Sequence, residues 1–133
     1  MQFNSLVPNL MVKDMTETVS FYRDVLGFIL VNNVPAEAPY NWAMMGRESV
    51  EIMFQTKPSL TEELPVLEKS AAGEGGALSF YINVEKIDDL YAKVKDHAPV
   101  VMDMRTSFYG AREFAIQDNN GFVLMFSESP NEE

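Results

Sequence analysis

Along this chain the apolar positions change period, from two to about 3.6 and back, and the order of the changes is repeated. Residues 6–12 read as a strand. Asp14 stands where a helix N-cap belongs, with Glu17 three residues later as in a capping box. Val19, Tyr22, Val25 and Leu26 then fall at helical spacing, and Gly27 supplies the C′ position. Residues 28–34 form a second strand, followed by the loop segment AEAP. Residues 41–45 and 50–55 read as a hairpin turned around Gly46, Arg47 and Glu48. Ser59 and Glu62 make a further capping box, which predicts a short helix before Pro65. The run AAGEGG, 71–76, reads as a linker.

The second half follows the same order. Residues 78–84 alternate as a strand, and Ile87, Leu90, Tyr91 and Val94 make one apolar helical stripe with Pro99 at its exit. Residues 100–104 are a strand. Residues 111–117 and 122–127 form a hairpin closed by Asp118-Asn119-Asn120-Gly121. Strand, helix and three strands, twice over, is an internal repeat of roughly 60 residues. The expected organisation is a single domain over 1–133: a first module at about 4–57, a linker with a short helix at 58–75, and a second module at about 76–129.

Composition narrows the classes of function. The chain has 133 residues, 47% hydrophobic and 23% charged, as in an ordinary globular protein. With no cysteine, disulfides, cysteine–zinc sites and thiol catalysis are excluded. The first ten residues lack a basic start and a long apolar run, and no stretch is apolar enough to span a bilayer, so a cytoplasmic location is expected. Twenty acidic against ten basic residues give a formal net charge of −10, which disfavours nucleic-acid and anionic-membrane partners.

Three motifs resemble the vicinal-oxygen-chelate superfamily of glyoxalase I, extradiol dioxygenases and bleomycin-resistance proteins. They are VPNLMVKDMTETVSFYRDVLGF (7–28), YINVEKIDDLYAKV (81–94) and YGAREFAIQDNNGFVLMF (109–126). The resemblance implies an α+β fold, in which two βαβββ modules form a curled eight-stranded mixed sheet around a cup, usually in a homodimer. In the family's enzymes four cup positions hold a divalent metal through His, Gln or Glu. Matched to the motifs, those positions are Val7, Met53, Ser79 and Met125. Valine and methionine offer no hard oxygen or imidazole donor, and serine is rarely sufficient, so neither a metal nor another cofactor is expected. The metal-free bleomycin-resistance proteins, which share the entry Pro8-Asn9-Leu10 with Asp14, are the closest in character.

Strand parity then gives a lining for the cup. Asn9 and Met11 accompany Val7; Tyr81 and Asn83 accompany Ser79; Glu51, Met53 and Gln55 share a wall faced by Trp42 and Met44. With Asp118 paired to Gly121 in the closing hairpin, Phe114 is expected opposite Met125, and Arg112 on the inner face. The ligand-binding candidates are therefore Asn9, Trp42, Glu51, Met53, Ser79, Tyr81, Tyr109, Arg112, Phe114 and Met125. Several also have a structural reading: core packing for Met53, Met125 and Phe114, a cross-strand contact for Tyr81, and an ion pair for Arg112. His97, at a helix end, reads as a capping residue. No catalytic residue is assigned. The function expected is metal-independent binding of a small organic ligand, neutral or cationic, aromatic ligands included. The alternative is a lyase or dioxygenase of the glyoxalase type.

Overall fold

The computed structural model describes residues 1–72, 74 and 78–130. The chain divides into two compact units, Met1–Gly73 and Glu74–Glu133. Much of the glycine-rich segment expected as a linker lies outside the described residues. The fold is α+β, with two four-stranded mixed sheets, one in each unit.

The first unit runs β1 (Asn9–Val12), α1 (Met15–Asp24), β2 (Ile29–Val34), β3 (Trp42–Arg47), β4 (Val50–Thr56) and α2 (Lys57–Glu63), followed by a 3₁₀ turn at Pro65–Leu67. Its sheet has the order β1-β4-β3-β2, with β1 parallel to β4 and the other pairs antiparallel. Asp14 caps α1 as the sequence predicts: its Oδ1 accepts the Glu17 amide at 2.9 Å. At the other end Gly27 has φ 73, the left-handed conformation that a Cβ disfavours. One sheet face, carrying Leu10, Ala43, Met45, Ile52 and Phe54, is buried beneath Met15, Val19 and Tyr22 of α1. The Tyr22 ring lies 4.8 Å from Phe54 and 5.5 Å from Phe28, so the aromatic pair in the helix motif is a packing device.

The predicted capping box at Ser59 is corrected. Helix α2 begins three residues earlier, with Thr56 rather than Ser59 as N-cap, Lys57 as its first residue and Pro58 in its first turn. Proline fits there because its missing N–H would find no helical partner in any case. Ser59 thus lies inside the helix, where its hydroxyl accepts from Gln55 Nε2 at 2.8 Å.

The second unit runs β5 (Ser79–Asn83), α3 (Ile87–Val94), β6 (Val100–Thr106), β7 (Arg112–Gln117) and β8 (Val123–Glu128), in the sheet order β5-β8-β7-β6. Ile87 and Val94 of the predicted stripe are fully buried, and Tyr91 packs edge-on against Phe114 at 5.0 Å. The α3 start has no capping side chain of its own. Lys86 sits at φ 58, and the Glu128 carboxylate accepts the amides of Lys86 at 3.1 Å and Ile87 at 3.0 Å.

The closing hairpin differs from expectation by one residue. Its loop is Asn119-Asn120-Gly121: Asp118 pairs with Phe122, the Gly121 amide bonds back to Asp118 at 3.1 Å, and Gly121 takes φ 85. This is a three-residue connection with glycine in its left-handed position, rather than the two-residue turn assumed from Asp118 and Gly121. Phe114 therefore stands opposite Phe126, and Met125 opposite Ala115. Phe114 and Arg112 share the face that carries α3, where Arg112 Nη2 pairs with Asp88 at 2.7 Å. Phe114 is a core residue with no exposed surface. Phe114→Ala is expected to lower unfolding free energy by about 3–5 kcal/mol in urea denaturation, the cost of truncating a core aromatic. A loss below 1 kcal/mol would show that the ring is not part of this core.

Candidate functional site

In each unit the helix seals one sheet face, and the far face carries the remaining candidates. In the first unit the ladders place Asn9, Met53 and Met44 side by side, and Met11, Gln55 and Trp42 beside them. Glu51 continues this face opposite Gly46. Trp42, Met44 and Met53 are half-buried, whereas Asn9 and Glu51 are exposed. A polar chain crosses the face: Asn9 Nδ2 donates to Gln55 Oε1 at 2.9 Å, and buried Gln55 donates to Ser59 and Glu63 of α2. Two unconstrained side chains on adjacent strands are thereby fixed to a helix end.

The far face of the second unit holds a denser cluster. Cross-strand pairing lines up Tyr81, Met125 and Ala115 in one row and Asn83, Ser127, Glu113 and Arg105 in the next. Ser79 lies one row further along, opposite Val123. The centre is Glu113, whose side chain is 1% exposed. Three hydroxyls converge on its Oε2: Tyr81 Oη at 2.9 Å, Ser127 Oγ at 3.1 Å, and Tyr109 Oη. Tyr81 Oη also lies 3.0 Å from Ser127 Oγ and 3.1 Å from Tyr109 Oη. Arg105 Nη2 is 3.6 Å from the other oxygen, Oε1. Tyr109 reaches the cluster from the loop between β6 and β7, which Ser107 and Ala111 close by mutual hydrogen bonds.

These contacts fix the charge state of the cluster. The Tyr109 hydroxyl, the largest cause, holds the Glu113 carboxyl below its ordinary 4.5, although burial opposes it. The Tyr81 and Ser127 hydroxyls and the Arg105 charge add to the lowering. Reciprocally, donation to Glu113 and contact with Tyr81 push the Tyr109 phenol up to about 12. At neutral pH the site is a carboxylate held by the protonated Tyr109 phenol.

Of the residues expected in a ligand site, the far faces carry Asn9, Trp42, Glu51 and Met53 in the first unit and Ser79, Tyr81 and Met125 in the second, with Tyr109 joined to the latter group through Glu113. Arg112 and Phe114 lie on the α3 face instead. Glu113, Ser127 and Arg105 were missed. The signal that finds them is the hairpin loop length: one residue more between Asp118 and its partner turns Glu113 onto the far face. At the positions the family resemblance assigns to metal ligands, Met53 and Met125 present thioethers, Ser79 an exposed hydroxyl, and Val7 no donor. These residues do not fit a hard divalent metal. Among the described residues, no three His, Asp or Glu side chains gather to replace them.

The two shifts predict opposite pH windows. The stability from Glu113, whose folded value is depressed, is complete above pH 4.5 and is lost as pH falls through the folded value. That from Tyr109, whose folded value is raised, is complete below pH 10.0 and is lost as pH rises toward about 12. Tyr109→Phe is therefore expected to be less stable than the parent at pH 7, with the gap narrowing as pH falls below 4.5 to pH 3, where the carboxyl of the unfolded chain is protonated. Urea denaturation at both pH values is the check, and an undiminished gap at pH 3 would count against an ionised Glu113 as the phenol's partner.

Comparison with known proteins agrees with this architecture. The model of the "Glyoxalase/Bleomycin resistance protein/Dioxygenase superfamily" matches residues 2–126. A "Bleomycin resistance protein" of Geobacillus stearothermophilus is 26% identical over 122 residues, covering 90% of this chain and 92% of that one. Among solved structures, a glyoxalase/bleomycin resistance protein/dioxygenase from Nocardioides superposes with a TM-score of 0.79 at 14% identity, over 100% of this chain and 88% of the other. A bleomycin resistance determinant encoded on the transposon Tn5 gives 0.69 at 18% identity, over 96% and 98% of the two chains. No helix among the described residues is long and apolar enough to cross a membrane. With the family model spanning both modules, this chain belongs to the glyoxalase/bleomycin resistance protein/dioxygenase superfamily.

Proposed function

We propose that this protein is a metal-independent binder of a small organic molecule, neutral or cationic, held against the far face of a sheet in a cytoplasmic homodimer. The observation that carries the reading is what stands at the family's metal positions. Thioether, hydroxyl and aliphatic groups replace the metal donors, on faces that offer a half-buried indole, several methionines and a few fixed polar groups. Apolar walls with sparse polar anchors are the usual make-up of sites for organic ligands, and methionine adapts to varied shapes. The resistance proteins among the relatives support a binding role, and bleomycin is one ligand to test. The Glu113 cluster does not favour acid–base catalysis near neutrality, since a carboxylate kept ionised and a phenol raised to about 12 both lie far from pH 7. A net charge of −10 supports a neutral or cationic ligand over nucleic acid.

Three measurements test the proposal. After incubation with nickel, zinc, manganese or ferrous iron, elemental analysis should find metal well below one per chain; near-stoichiometric uptake would overturn metal independence and make a lyase or dioxygenase the better reading. Trp42 is the single tryptophan, so its emission should respond saturably to a bound organic ligand. By calorimetry, Trp42→Ala should then weaken binding roughly tenfold, as expected for loss of an aromatic contact. Unchanged affinity would remove Trp42 from the site.

A further inference from the structure

The two oxygens of Glu113 are treated unequally. Oε2 receives three hydroxyls, while Oε1 is buried without a hydrogen-bond partner among the described residues. Its nearest cation, Arg105 Nη2, stands at 3.6 Å, outside hydrogen-bonding distance. Leaving a charged acceptor buried and unbonded is costly, and folded proteins rarely do so without a reason. A carboxylate serving only the fold would be expected to have both oxygens satisfied.

Arg105 is also placed to leave. Its side chain is 56% exposed, it lies on the outer strand β6, and the β6–β7 register shifts between Met102 and Arg105. An arginine more than half in water gives up a long, imperfect ion pair at little cost. The surroundings of this carboxylate suit a cation: the two tyrosines bonded to its other oxygen, Tyr81 and Tyr109, are 53% and 49% exposed, and the chain as a whole is strongly acidic.

We infer that Glu113 Oε1 is the anchor for a protonated nitrogen of the ligand, an ammonium, amidinium or guanidinium group, and that Arg105 covers this place until the ligand displaces it. The inference rests on the small-molecule-binding function proposed above and names the chemistry that this part of the protein recognises. A neutral ligand group has weaker reason to displace Arg105, because only a cation replaces the charge that Arg105 takes away. Hydroxyl donors cannot substitute either, since the three nearby are committed to Oε2.

The test uses amide chemical-shift titration of the full chain with benzamidinium, benzylammonium and phenylguanidinium, each beside its neutral counterpart benzamide, benzyl alcohol or phenylurea. The cations should bind more tightly than their counterparts by about tenfold, the scale of a charge-assisted hydrogen bond, with shifts at Tyr81, Tyr109 and Ser127. Arg105→Ala should tighten the cations alone. Glu113→Gln should abolish the preference for each cation over its neutral counterpart. Equal binding of cations and counterparts by both the parent and Arg105→Ala would overturn the anchor and leave small-molecule binding standing. Undiminished cation preference in Glu113→Gln would also overturn the anchor. If no probe binds the parent or Arg105→Ala saturably, both proposals fall. If Glu113→Gln loses its amide dispersion, the exposed-site variant Arg105→Ala decides the question alone.

Discussion

Three residues at the tip of the last hairpin determine the chemistry of the whole second sheet. Asn119, Asn120 and Gly121 fit between Asp118 and Phe122 because the Asp118 carboxylate accepts the amides of Asn120 and Phe122, at 2.8 and 2.9 Å, and Gly121 adopts φ 85. Side chains alternate along a strand, so a loop longer or shorter by one residue would exchange the faces of an entire strand relative to its partner. The observed register buries Phe114, Ile116, Leu124 and Phe126 on the α3 face. The same register sends Glu113 and Ser127 to the far face, where Tyr81 waits on the adjoining side of β8. A buried carboxylate is tolerable there only because hydroxyls from three separate segments reach it. Turn chemistry and the polar cluster are thus one constraint seen at two distances.

Much of the fold was legible in the sequence because it is written in local terms. Asp14 caps its helix through an interaction three residues long, and the stripes of α1 and α3 follow the period of a helix. The far face of the first sheet was also readable, because Trp42, Met44, Glu51, Met53 and Gln55 sit on two strands joined by a short turn. What was not legible depends on choices that local pattern leaves open. Ser59-Leu-Thr-Glu62 has the form of a capping box, yet Pro58 is accommodated one position into the helix and draws its start back to Lys57. Asp118-Asn-Asn-Gly121 closes a hairpin with either two or three loop residues, and the two choices give opposite faces. Glu113 was overlooked for a related reason: a charged residue in a strand normally reads as solvent-facing, and its burial here is explained by partners 4, 14 and 32 residues away.

The two modules share one strand order and use it differently. Equivalent pairings are Asn9↔Met53 with Tyr81↔Met125, and Trp42↔Gln55 with Glu113↔Ser127. On the helix side both modules do the same thing, packing an aromatic ring from the helix onto a phenylalanine of the sheet: Tyr22 on Phe54, Tyr91 on Phe114. On the far side they part. The first module spends its polar groups on tying Gln55 to α2 and leaves Trp42 and the methionines half-buried. The second places a carboxylate where the first has its indole, and surrounds it with hydroxyls. Backbone pairing and helix packing dictate one face and are indifferent to the other, so the far face is where such a repeat can diversify without altering its fold. The first module thus carries an apolar, adaptable surface on its far face, and the second a fixed negative charge, from the same backbone pairing.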